Sequence, residues 1–318
     1  MTLDEVRSLG SAIDREIAKA VVGQAGAVRL LTIALFSAGH VLLEGPPGTA
    51  KTLLAQSFAR TLGLDFGRIQ FTPDLMPGDI IGSNLFNFQT SQFALTRGPV
   101  FCELLLADEI NRTPPKTQAA LLEAMQERRI TIDGRTEHLS DRFTVVATQN
   151  PIEQQGVYPL PEAQLDRFLF KIAIGWPELE AERAIVAQYG TRTGTPAPQD
   201  SGVEQVADAG AIAAAIDAVG QVRLVEEVVD YIVRLIRATR EHGDLSSGAS
   251  PRAATALAAA ARACAALDGR DYVLPDDVKT LAPALLRHRL ILSPSAEIDG
   301  RRVEDVVASL IASVDAPR

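Results

Sequence analysis

The octapeptide Gly45 to Thr52, GPPGTAKT, follows the apolar run Val41-Leu42-Leu43 and leads into the helical pattern TLLAQSFARTLG. Strand, glycine-rich turn and helix in that order constrain the chain to an α/β layout with a concavity at the strand's end. In such a loop successive backbone N–H groups point inward and the next helix aims its positive end at the same place, so a polyphosphate fits. Gly45, Pro46, Pro47, Gly48, Thr49, Ala50, Lys51 and Thr52 are therefore candidate residues for binding ATP. Lys51 would reach the β- and γ-phosphates as a point charge, and the Thr52 hydroxyl would complete the shell of a Mg²⁺. Ala50 stands where the usual pattern has glycine, and alanine suits that place if it opens the helix with φ < 0. A plain strand-turn-helix connection with a solvated lysine would carry the same octapeptide.

Leu104-Leu105-Leu106-Ala107-Asp108-Glu109 is an apolar run that ends in two carboxylates. A parallel strand buried on both faces reads this way. Ligands of open α/β sheets sit beyond the carboxyl ends of the strands, which brings Asp108 beside the loop. Asp108 can then hold Mg²⁺ through water, and Glu109 can orient and polarise the water that attacks the γ-phosphate. The pair could instead cap the next helix. Its spacing from the phosphate loop favours the catalytic reading.

The 318 residues are enough for two domains. Lys and Arg number 31 against 40 Asp and Glu, a net charge of −9. That acidic balance, with no basic stripe interleaved with aromatics, weakens the case for a nucleic-acid partner. The N-terminal pattern is amphipathic rather than a signal core, and the stretch from Ala253 to Leu267 is too short and too interrupted to span a membrane. Cys102 and Cys264 alone make no disulfide framework or zinc site, and a reducing cytoplasm fits. The four histidines are scattered, and Trp176 reads as a packing residue at a domain junction.

Up to Ile174, the β-type runs HVLLEG, RIQFT, LLLADE, FTVVATQN and FLFKIAI alternate with helical patterns, as in a doubly wound parallel sheet. Beyond it, apolar residues recur at helical spacing with Asp or Pro starts and Gly stops. The alanine-rich stretch within it reads as a closely packed helix.

GPPGTAKT, LLLADEINRTPPKTQAALLEAMQE, ATQNP, LPEAQLDRF and GASPRA, in that order, resemble the MoxR-type AAA+ ATPases from about Val22 to Leu292. The resemblance implies an αβα nucleotide domain with a parallel five-stranded sheet over residues 1–175, and a smaller all-helical lid over residues 176–318. It also implies a homo-oligomeric ring, commonly a hexamer, with ATP bound between neighbours. Asn150 matches the sensor that hydrogen-bonds the attacking water, although an Asn before Pro151 also suits a turn. Arg167 matches an arginine finger supplied across the interface; the alternative is an ion pair with Asp166 or Glu162. Arg252 matches the lid arginine that feels the γ-phosphate. Val22 and Gly23 match the segment against adenine, or a turn between two helices. Arg112 is a second interface arginine or a helix cap.

Two inserts carry hairpin patterns: Gly82 to Val100, and RRITIDGRTEHLSDRF with its turn at Asp133-Gly134. They would grip a client protein, or only brace the ring. Three function classes follow: an ATP-driven chaperone working with a von Willebrand factor A-type partner, a nucleic-acid motor or nuclease subunit, and a nucleotide-gated scaffold. The acidic charge favours the first over the second. Asp108, Glu109, Asn150 and Arg167 together argue against the third.

Overall fold

The computed structural model describes residues 1–89, 91–151, 157–191 and 194–317; the turn of the first insert and the linker near residue 190 fall partly outside them. Helix α1 (Leu3–Ala18) starts with a reciprocal cap, Glu5 N–H donating to Thr2 Oγ1 at 3.2 Å and Thr2 N–H to Glu5 Oε2 at 2.7 Å. After α2 (Ala25–Phe36) come β1 (His40–Glu44), α3 (Lys51–Leu62), β2 (Phe66–Gln70) and the single turn α4 (Pro77–Ile81). The first insert is the hairpin β3 (Gly82–Asn87) and β4 (Gln92–Arg97). Strand β5 (Leu104–Asp108) leads to α5 (Pro115–Glu127), the second hairpin β6 (Arg129–Ile132) and β7 (Arg135–His138), and then β8 (Thr144–Gln149), α6 (Glu162–Leu165) and β9 (Phe168–Ala173).

All five predicted core strands form one parallel sheet in the order β2-β5-β8-β1-β9. The apolar runs of the central strands β5, β8 and β1 are continuous because both of their faces are covered. Val41, Leu43, Leu104, Leu106 and Val146 point into one core with α1, α2 and α3, while Leu42, Leu105, Ala107, Val145 and Ala147 point into another with α5. The Asp133-Gly134 turn has positive φ at both residues, 49° and 80°, as a two-residue hairpin turn matched to strand twist requires. The two inserts touch: Asn84 Nδ2 donates to Asp133 Oδ2 at 2.9 Å.

Beyond β9 the elements are α7 (Leu179–Tyr189), α8 (Ala209–Gly220), α9 (Glu226–Glu241), the short strand β10 (Leu245–Ser247), α10 (Pro251–Leu267), α11 (Pro275–Leu286), β11 (Ile291–Leu292), α12 (Pro294–Ile298) and α13 (Val303–Ser313). Strands β10 and β11 pair as a small ribbon in an otherwise helical region. The alanine-rich α10 is closely packed as expected, burying Ala253, Ala260, Ala261, Ala263, Ala265 and Ala266 in the core it shares with α1 and α2. Trp176 departs from expectation: it is 70% exposed and packs no junction. Among the described residues no helix is long and apolar enough to cross a membrane.

His40, at the start of β1, is fully buried. The Val145 N–H donates to its Nδ1 at 3.0 Å, so the ring proton sits on Nε2, which faces the Met125 carbonyl at 3.1 Å. Burial holds its pKa down to about 4, and burial likewise holds His288 well below the usual histidine value. The unfolded chain therefore takes up a proton on His40 below about pH 6.5 that the folded chain refuses until about pH 4. The contribution is complete above pH 6.5 and is lost as pH falls through this window, by up to about 3 kcal/mol. Urea unfolding between pH 7 and 4.5 should show falling stability, with a shallower slope in His40→Gln; an unchanged slope in that variant would exclude His40 as a source.

Candidate functional site

The loop after β1 is shaped by exclusions. A Cβ on Gly45 would lie 2.2 Å from the Ile174 carbonyl oxygen, so only glycine passes the end of β9. Gly48 has φ 81°, Thr49 Oγ1 donates to the Pro46 carbonyl at 2.8 Å, and α3 begins at Lys51 with amides that have no carbonyl one turn back. The Lys51 ammonium donates to the Gly45 and Pro46 carbonyls at 2.8 and 2.7 Å. Burial lowers its pKa, and Asp108 and Glu109 oppose that shift.

Ala50 does not open the helix with negative φ. It sits at φ 60°, ψ 22° in the left-handed region, with its methyl exposed. The loop must reverse direction before the first helical residue, and that geometry overrides the preference of the side chain. Left-handed backbone costs a non-glycine residue about 1–2 kcal/mol, and glycine costs about 0.5–1 kcal/mol more unfolded-chain entropy. Ala50→Gly should thus be neutral or stabilise by up to about 1.5 kcal/mol in urea unfolding, against a loss of about 1 kcal/mol at an ordinary helical position. A loss of that ordinary size would count against strain here.

Strand β8 lies between β1 and β5, so its end fills the space between the loop and the carboxylates. Asp108 is buried, accepting from Thr52 Oγ1 at 3.1 Å, Thr148 Oγ1 at 2.7 Å and Arg68 Nη2 at 2.9 Å. Glu109 has left-handed backbone, φ 57°, fixed by its N–H donating to Thr148 Oγ1 at 2.8 Å. Its carboxylate accepts from Gln70 Nε2 at 2.8 Å and Arg112 Nη1 at 3.0 Å, so Arg112 here pairs with Glu109. Thr148 and Arg68 were not singled out in the sequence. A threonine two residues before Asn150, and a basic residue alternating with apolar ones on an edge strand, were the available signals.

Pro47 to Thr52, Arg68, Asp108, Glu109 and Thr148 line a cleft of about 660 Å³ with Asn150, Val22 and Gln24, while Gly45 and Pro46 lie outside its lining. Gly23, between Val22 and Gln24, has φ 79°, and a Cβ there would come within 3.0 Å of Ala181. The remaining wall comes from beyond the sheet: Pro177, and Ile185 and Tyr189 of α7. Tyr189 Oη donates to the Ala20 carbonyl at 2.7 Å and Gln188 Nε2 to the Lys19 carbonyl at 2.6 Å, pinning α7 against the segment before Val22. The donor set suits a magnesium nucleotide. Thr52 and Asp108 offer hard oxygens, Lys51 and the helix start offer positive charge to phosphate, and the far end is apolar enough for a base.

Arg167 and Arg252 are not in this cleft. They line a second hollow with His40, Arg128, Asp166 and Arg289. His40 begins β1 and Gly45 follows its end, so the two hollows lie at opposite ends of one strand, on the order of 15 Å apart. Asp166 organises the second one, accepting from Arg289 Nε at 2.7 Å and from Ser250 Oγ, the residue before α10, at 3.3 Å. With Asp166 engaged there, Arg167 forms neither of the ion pairs considered for it and donates from Nε to Gln126 Oε1 at 3.1 Å.

Residues 40–170 match the model of the ATPase family associated with various cellular activities (AAA), and residues 237–310 match the AAA lid domain. Chaperone MoxR1 of Mycobacterium tuberculosis is 46% identical over 99% of this chain and 84% of its own length. The chain belongs to the MoxR family of AAA+ ATPases. The YeaC protein of Bacillus subtilis is also similar, 43% identical over 97% of this chain and 95% of its own. The crystal structure of a candidate ATPase from Cytophaga hutchinsonii superposes with a TM-score of 0.90 at 39% identity, covering 99% and 97% of the two chains. In this MoxR-type protein the AAA match carries the loop, Asp108, Glu109, Asn150 and Arg167, and the lid match carries Arg252, while the cleft wall made by Val22, Gln24, Pro177, Ile185 and Tyr189 lies outside both matched segments.

Proposed function

We propose that this MoxR-family ATPase hydrolyses ATP in a head-to-tail ring of copies, hexameric as the family resemblance implies, and uses the cycle to remodel or activate a client protein. The observation that carries the reading is the separation of the two hollows: Arg167 and Arg252 stand at the wrong end of β1 to reach their own phosphate loop, yet face outward where a neighbour's loop can meet them. Lys51 and the loop amides hold the phosphates, Glu109 takes the proton of the attacking water, and Asn150 orients that water. Thr52 and Asp108 would hold Mg²⁺, which when bound neutralises charge on the phosphates. Arg167 and Arg252 of a neighbour would stabilise charge on the γ-phosphate.

The client reading rests on the first insert, where Phe86 meets Phe88 and Phe93 edge-on with centroids 5.2 Å apart while Phe88 is 87% exposed. Exposed aromatic clusters of this kind mark contact surfaces. Recruitment by a von Willebrand factor A-domain partner is part of the same proposal and comes from the family resemblance.

A shared site makes turnover per chain depend on concentration. ATPase activity per chain should rise as light scattering reports assembly, then level off. Constant activity per chain on dilution below the assembly range would overturn the shared site. Removal of residues 87–94 should leave that curve unchanged and abolish client remodelling; remodelling that survives would refute the role of the hairpin.

A further inference from the structure

Helix α7 is the outer wall of the nucleotide cleft, and its two sides differ. Ile185 and Tyr189 face the cleft, and the Tyr189 and Gln188 hydrogen bonds to the Ala20 and Lys19 carbonyls fix the helix in place. Leu179 and Val186, seven residues apart and so on one side of the helix, are 61% and 65% exposed. Trp176, just before α7, is 70% exposed, and its neighbour Pro177 lines the cleft. An apolar strip thus runs along the rim of the ATP cleft and shares its wall. Indoles left in water are uncommon, and tryptophan is among the residues that most often anchor interfaces.

The charge around the strip says what covers it. Glu178, Glu180 and Glu182 are exposed beside it, with Glu180 paired to Arg183 at 2.7 Å. The hollow at the other end of β1 is lined by Arg128, Arg167 and Arg252. In a chain of net charge −9, an acidic rim around the loop end and an arginine cluster at the far end are complementary patches on two different faces of one molecule. Such a pair joins copies head to tail.

We propose that Trp176, Leu179 and Val186 form the apolar seat on which a second copy of this chain docks, bringing its arginine-lined hollow against the ATP cleft. The inference rests on the shared-site reading and adds to it the surface that holds the neighbour in place. A neighbour that covers the strip also closes the cleft's outer wall against solvent, so the same contact that supplies Arg167 would shield the bound base.

Trp176 is the sole tryptophan, so it reports on its own burial. The full-length protein is mixed with Mg²⁺ and a non-hydrolysable ATP analogue, and its emission is followed against protein concentration alongside light scattering. Expected is a blue shift that tracks assembly. Leu179→Asp and Val186→Asp, at exposed positions, should keep analogue affinity within about twofold when measured on unassembled chains, raise the assembly midpoint at least about tenfold, and leave the emission red at concentrations where the wild type has shifted. A ring that assembles with unshifted emission, or with unchanged midpoint in both variants, overturns the seat while the shared site stands. A blue shift that appears with nucleotide at every concentration reports movement within one chain and also overturns it, as does a shift that needs a different protein. Wild-type chains that bind nucleotide yet never assemble refute the shared-site reading itself, and are recognised by scattering alone.

Discussion

Glu109→Gln should lower ATP turnover by about 10²- to 10⁴-fold while nucleotide affinity is retained. The glutamate carboxylate stands at the cleft with left-handed backbone fixed through Thr148, and its outer oxygen accepts from Gln70 and Arg112 at 2.8 and 3.0 Å. A glutamine keeps an oxygen that can accept from both donors, so the loop and the fold are preserved. What it cannot do is take a proton from water. Affinity should be preserved, because in the proposed site the phosphates would be held by Lys51 and the loop, and Lys51 donates to the Gly45 and Pro46 carbonyls rather than to Glu109. Single-turnover hydrolysis and nucleotide titration on the same preparation separate the two effects, and wild-type turnover in this variant would remove Glu109 from the chemistry.

Arg167→Ala should cost about 10³- to 10⁵-fold in turnover, the range for fingers that neutralise charge on a transferring phosphoryl group. Its side chain is partly exposed and makes a hydrogen bond to Gln126, so stability should change only by the small amount of a surface substitution, about 0.5 kcal/mol. The decisive form is a mixture. Lys51→Ala chains lack the phosphate contact but keep both arginines; Arg167→Ala chains keep the loop. Mixed in equal amounts, head-to-tail contacts make roughly a quarter of the interfaces whole. Activity should return to a corresponding fraction of wild type, although each variant alone is inactive. No recovery in rings shown to contain both chains would mean that the arginine acts within its own subunit or not at all.

The three central strands β1, β5 and β8 were legible because they are buried on both faces, which writes each of them as a nearly unbroken apolar run, while the edge strands β2 and β9 carry Arg68 and Lys171 among their apolar residues. The phosphate loop and the two carboxylates were legible because their chemistry is local and follows directly on those runs. The backbone of Ala50 was not: an alanine read by itself prefers the helical region, whereas here it takes the left-handed backbone from which the loop enters α3. Arg252 matched a family position, yet no pattern within its helix shows at which end of the sheet α10 begins; that depends on Asp166 joining Ser250 and Arg289 across more than eighty residues. Thr148 escaped notice because its role comes from strand order, with β8 standing between β1 and β5. Trp176 was misread because an aromatic beside Gly and Pro suggests a packed junction, whereas the residue projects outward.

The placement of the two hollows at opposite ends of β1 also has an arithmetic consequence for assembly. Copies joined loop to arginine make an arc with one bare loop at one end and one bare arginine pair at the other, so an arc always has one complete site fewer than it has chains. Dimers would work at half capacity and longer arcs at progressively more, and only closure, which joins the last end to the first, makes every chain count. A break in the circle then idles one site and exposes two ends. Under the proposed shared site, the molecule's polarity would turn the integrity of the circle into a quantity that its own rate of catalysis reports.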